Sequence, residues 1–88
     1  MTTTFITHPA CLDHMTPAGH PERPDRLRAV DRALEAERFH FLVRELAPAA
    51  DLETIALCHP PDFIEQIRDA TPRDGIVHLD ADTSMSPG

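Results

Sequence analysis

Tryptophan, tyrosine and lysine are all missing from these 88 residues, glycine occurs only three times and cysteine twice, and no apolar run exceeds a few positions. Each absence excludes something. Without a run approaching the roughly 20 apolar residues that span a bilayer, no membrane-crossing helix is expected, and no charged-then-apolar leader opens the chain. Cys11 and Cys58 make neither a CxxC pair nor a disulfide framework. A reducing, cytoplasmic setting is therefore the expectation. The lack of tyrosine removes the phenol that often holds an oxyanion, and no GxSxG, HExxH, P-loop or GxGxxG motif is present. All eight cations are arginines, outnumbered by 15 acids to a net charge of −7, which argues against general affinity for nucleic acid.

The chain is also short of core material. Leu, Ile, Val and Phe supply 20 residues, and 11 more apolar positions are alanines that bury little area for the ordering they require. A domain of this length would be marginal if it folded alone.

The segments that are present alternate between strand and helix patterns. Phe5-Ile6-Thr7 reads as a first or edge strand, followed by a long loop over residues 8 to 23 that Pro17, Gly19 and Pro21 would shape. Pro24 and Asp25 suit a first helical turn, and Leu27, Val30 and Leu34 recur at helical spacing, predicting a helix to about Arg38. A strand is expected over residues 41 to 46, then a short helix capped by Asp51 and running to about Leu57. A third helix opens at Pro61-Asp62, carries Phe63, Ile64 and Ile67 on one face, and stops at Thr71-Pro72. Ile76-Val77-His78-Leu79 reads as a buried strand, and Ser86-Pro87 as the cap and first turn of a further helix. The class is α/β. Residues 1–88 are expected to be the N-terminal part of a larger α/β domain.

Candidate chemistry concentrates in Gly19-His20-Pro21-Glu22-Arg23-Pro24-Asp25-Arg26-Leu27, where two prolines stiffen a polar loop ahead of a helix. His8, His14 and His20 recur every six residues, a spacing that fits no common ligand pair, so a local metal site is not expected. Asp80 and Asp82 would point the same way from an extended strand and could meet a cation or a substrate amide together, but the favoured reading is a polar strand-to-helix turn in which Asp and Ser accept backbone N–H bonds. His59, ahead of Pro60-Pro61-Asp62, reads as a structural helix-junction residue.

Four blocks taken together carry a resemblance. Cys11-Leu12-Asp13-His14, the Gly19 to Leu27 block, Ala56-Leu57-Cys58-His59-Pro60-Pro61-Asp62-Phe63-Ile64, and Asp80-Ala81-Asp82-Thr83-Ser84-Met85-Ser86-Pro87-Gly88 occur in an order that resembles the N-terminal region of histone deacetylase family proteins. That group includes bacterial acetylpolyamine amidohydrolases and acetoin-utilisation-type proteins. The resemblance implies an arginase/deacetylase-like α/β fold with a central parallel sheet, and zinc-dependent hydrolysis of an acetylated amine, either an acetyl-lysine or an acetylpolyamine. The family's His-His pair, its DxDxHH metal motif, its later metal aspartate and its tyrosine match no position here. Asp80-Ala81-Asp82 is followed by Thr83 and Ser84, not by two histidines.

What the resemblance carries over is therefore peripheral. It implies that His20, Pro21 and Glu22 border the active-site mouth, that Arg26 lines an internal channel behind the metal, and that Asp82 holds a rim position. A guanidinium at Arg26 could bind a departing acetate bidentately; a structural salt bridge to Asp25 or Glu22 is the competing reading. The expectation is a fragment that supplies a rim and a channel arginine, binds no zinc and catalyses nothing alone, with zinc and an acetylated small-molecule or protein-lysine substrate belonging to the parent protein. The alternative is a non-catalytic interaction or regulatory module built on part of the same scaffold.

Overall fold

The computed structural model describes residues 1–88 and divides them into two compact units, Met1–Ala47 and Pro48–Gly88. In the first, β1 (Thr4–Thr7) and β2 (Val43–Leu46) pair in parallel, Thr4 opposite Val43 and Thr7 opposite Leu46. Val43 N donates to Thr3 O at 3.0 Å and Ala47 N to Thr7 O at 2.9 Å, closing the ladder at both ends. Parallel strands need a long crossover. Here it contains a 3-10 turn at Pro9–Leu12, helix α1 (Pro24–Ala33) and a second 3-10 turn at Glu37–Phe39.

The loop expected over residues 8 to 23 is thus partly regular: His8 Nδ1 accepts the Ala10 N–H at 3.0 Å and caps the first 3-10 turn. Helix α1 is shorter than its periodicity predicts. It ends at Ala33, because Glu35 and Ala36 bond three residues back to Arg32 and Ala33 and tighten the chain out of the α-ladder. The Arg44 guanidinium donates to the freed Leu34 carbonyl, so a β2 side chain caps the helix end. The strand expected from residue 41 starts two residues later, since Leu42 N is still bonded to Phe39 O in a turn at 3.2 Å.

The second unit begins with α2 (Leu52–Ala56) and α3 (Pro61–Ala70). Asp51 Oδ1 caps α2 by accepting from Thr54 N at 2.8 Å and Thr54 Oγ1 at 2.7 Å. Pro61 occupies the first turn of α3, and the extended backbone of Thr71 ahead of Pro72 ends it. Two corrections follow. The predicted buried strand is only β3 (Val77–His78), and it is exposed. It pairs antiparallel with β4 (Ser84–Met85), a strand just ahead of Ser86-Pro87 that the sequence reading did not include. Parallel pairing is confined to β1 and β2. The chain is a small mixed α/β structure.

No apolar side chain is fully buried in either unit; Phe41, Leu46 and Leu57 stand 66%, 69% and 83% exposed. The accessible surface is 7284 Å². A compact protein of this mass exposes about 5,200 Å², and even two separate bodies of half the mass would expose only about 6,200 Å². The shortage of core-forming residues in the sequence is therefore realised as uncovered apolar faces. No helix is long and apolar enough to cross a membrane.

Candidate functional site at the carboxyl ends of the parallel strands

Open parallel sheets bind ligands outside the carboxyl ends of their strands, because the βα loops converge there. In the first unit those ends are Thr7 and Leu46, directly opposite one another. Between them lies a hollow of about 210 Å³. The strand ends, His8, Pro9, Cys11 and Leu12 of the 3-10 segment, and Leu27 and Asp31 of α1 line it. Cys11 and Asp31 were not singled out as site residues by sequence reasoning. The signal was there for Asp31: it lies four residues after Leu27 and so falls on the same helical face.

The stiff loop leads from this end of the sheet into α1. Gly19, at φ 81°, makes the turn that lets His20 N donate to Pro17 O at 3.0 Å. His20 Nδ1 then accepts the Glu22 N–H at 3.0 Å, which straps the loop across Pro21. Glu22 reaches one helical turn onward to Arg26, its Oε2 accepting from Nη2 at 2.5 Å. Asp25 takes Arg28 instead, at 2.8 Å. Of the two ion-pair partners open to Arg26, the structure selects Glu22. The pair is half-exposed, 54% on each side. Its worth to stability is accordingly small. A guanidinium has five donors, so the bond to Glu22 leaves Arg26 capacity for a second carboxylate. His20, Glu22 and Arg26 are therefore one connected group, with Pro21 setting the backbone between the first two.

Asp82 belongs to the second unit. Asp80 and Asp82 sit in the turn between β3 and β4, not on an extended strand, and Asp80 Oδ1 accepts the Asp82 N–H at 2.8 Å. That amide first, and the Thr83 side chain next, hold the Asp80 carboxyl below the usual carboxylate value. Of the two readings open to Asp80 and Asp82, the structure shows the polar turn, in which Asp80 accepts a backbone N–H. His59 stacks on Phe63 with ring centroids 5.7 Å apart.

No three His, Cys, Asp or Glu side chains converge in a way that could hold a metal ion. His8 and His20 each use Nδ1 on a nearby backbone amide. The residues present do not make a zinc site.

No protein-family model matches the chain. It is similar to type-2 histone deacetylase 1 of Dictyostelium discoideum, 28% identical over 69 residues that cover 75% of this chain. The matched stretch spans about 5% of that protein's length. The similarity is partial and points to a deacetylase family.

Proposed function

We propose that this chain supplies the entrance segment of a deacetylase-type domain that hydrolyses an acetylated amine, built on an arginase-like parallel sheet. The observation that carries the proposal is the partial match to a histone deacetylase across three quarters of the chain. The topology supports it, because the loop bearing His20, Pro21, Glu22 and Arg26 emerges from the carboxyl end of a parallel pair, where α/β proteins bind ligands. The uncovered apolar faces support it too, since parallel sheets are ordinarily enclosed on both sides.

In this reading the His20–Glu22 strap holds the mouth in shape. Arg26, oriented by Glu22, offers its remaining N–H donors to the carboxylate product. Any zinc serving the reaction is held by other residues.

The 88-residue chain is expected neither to retain stoichiometric zinc after dialysis nor to release acetate from acetyl-lysine peptides or acetylpolyamines. Chelator-sensitive turnover by this chain alone would overturn the proposal. In a natural protein that contains this segment and is active, Arg26→Ala is expected to lower turnover about tenfold or more, with partial rescue by Arg26→Lys, which keeps the charge and loses the fork. Unchanged kinetics in Arg26→Ala would remove the channel role.

A further inference from the structure

We infer that the loop between β1 and α1 is a pH-sensitive device, strapped near each end by a neutral histidine, His8 and His20, and released when these imidazoles take up a proton. The dipeptide His-Pro occurs three times, at His8-Pro9, His20-Pro21 and His59-Pro60. A proline biases the residue before it toward extended geometry, and His8 has φ −151° and ψ 137°. The side chain is thereby set to reach the amide two residues on, as asparagine and aspartate do in local turns. His8 Nδ1 accepts from Ala10 N and His20 Nδ1 from Glu22 N, each at 3.0 Å. The third copy lacks this bond for a covalent reason: the residue two after His59 is Pro61, which has no N–H. Its ring stacks on Phe63 instead.

A ring nitrogen that accepts a hydrogen bond carries no proton. Both straps therefore require the neutral imidazole with its hydrogen on Nε2, and the imidazolium, a donor at both nitrogens, cannot make them. Each ring has a carboxylate to turn to once charged. Asp31 of α1 lines the same hollow as His8, together with Cys11, while the strand residues there, Thr7 and Leu46, are uncharged. Beside His20 stand Glu22 and, ion-paired with it, Arg26 of α1. A charged His20 competes with Arg26 for Glu22, so acid both unstraps the loop and loosens the pair at the start of the helix. The loop is held while imidazole is neutral and freed as pH falls through the ordinary histidine range, about pH 6.5. Asp80 makes the same two-residue bond to Asp82 N with a carboxylate, an acceptor that stays ionised across that range. The turn in the second unit is thus a built-in control. This inference concerns the loop itself and does not rest on the deacetylase reading.

The test is solution NMR of the full 88-residue chain. Long-range proton–nitrogen spectra at about pH 8 should show Nε2–H tautomers for His8 and His20, and the Ala10 and Glu22 amide protons should move in step with their own rings as pH falls to about 5. The bonded population should drop about fivefold, the size expected when one hydrogen bond is withdrawn. His8→Asn with His20→Asn keeps an acceptor that does not titrate, so both amides should hold still through that range, as the Asp82 amide does in the unaltered chain. If circular dichroism shows that this double variant has lost its helices, the single variants decide: His8→Asn should silence Ala10 and leave Glu22 responding, and His20→Asn the reverse. An Nδ1–H tautomer at either ring, amides that stay still while the rings titrate, or amides that respond as before in the asparagine variants would each overturn the proposal.

Discussion

Between residues 1 and 47 the hydrogen-bonded strands are joined only after a crossover of 35 residues, whereas between 48 and 88 the joining segments are four residues for α2–α3 and five for β3–β4. Treated as flexible loops, the longer connection costs about 2 kcal/mol more to close than the five-residue one. The first unit recovers part of that cost through local pinning: His8 caps the 3-10 turn, Arg44 caps the end of α1, and Glu22 holds Arg26. The second relies on caps and prolines at helix starts, and leaves an apolar hollow open beside Ile55 and Phe63. Charge follows the same division, nearly balanced in the first unit and strongly acidic in the second. The region with the long crossover is also the one whose polar loop has the shape of a site.

The largest effect expected on this contrast is in α3. Ile67→Pro removes an intrahelical donor and drives its ring into the preceding turn, a cost of about 3 kcal/mol. Since α3 is held by local hydrogen bonds and one half-covered apolar face, the helix should be lost from Pro61 to Ala70. Far-ultraviolet circular dichroism and amide exchange of Ile64 and Ala70 would read the loss. Retention of the helix would mean that tertiary packing, not local sequence, holds the second unit.

How much of each unit was legible follows from the same contrast. The starts of α1, α2 and α3 were readable because Pro24, Asp51 and Pro61 act on their own backbone neighbours, and so was the end of α3 at Pro72. The ends of α1 and the start of β2 were misplaced by a few residues. There the outcome depends on Arg44 reaching Leu34, ten positions away, which no local pattern encodes. The strand at Ser84–Met85 was not legible, because it exists only through its pairing with Val77–His78 across the turn. For the site, the density of the 19 to 27 loop and the tie between Arg26 and an acid were visible in sequence. The hollow that brings Cys11 and Asp31 beside the strand ends was not, because it exists only once β1 and β2 pair.

A smaller perturbation compares one turn in each unit. Gly19 and Gly75 adopt φ of 81° and 67°, and a methyl group at either would meet no atom within 4 Å. Gly19→Ala and Gly75→Ala therefore test backbone conformation alone, at about 1 kcal/mol each. Denaturant unfolding should show similar losses for both. A clearly larger loss at Gly19 would mean that the His20–Glu22 strap depends on this turn and that the loop is more cooperative than its exposed hydrogen bonds imply.

The ion pairs should count for less. Arg26–Glu22 and Arg28–Asp25 are both about half-exposed, so Arg26→Ala and Arg28→Ala should each lower stability by about 0.5 kcal/mol or less. The two variants are closely matched in helix position. A difference well above that size would show that Glu22, left alone beside His20, disturbs the strap, and would mark Arg26 as a positioning residue for the loop.

The smallest effect is a titration confined to two carboxylates of the second unit. The Thr54 hydroxyl, with the Thr54 amide adding to it, holds Asp51 below the usual value of 3.8, and the Asp82 amide followed by the Thr83 side chain does the same for Asp80. Both groups bind better as anions in the fold than in the unfolded chain. Their stabilising contribution is present in full above the ordinary carboxylate range and is lost as pH falls through the lowered folded values. Proton-detected titration should therefore move the Thr54 and Asp82 amide resonances with midpoints below 3.8, while α2 frays only on the acid side of that range. Asp51→Asn should abolish the Thr54 titration yet keep the cap, because asparagine supplies the same acceptor without the proton. Midpoints at or above 3.8 would mean that these bonds do not persist in solution and that the second unit lacks the local caps on which it relies.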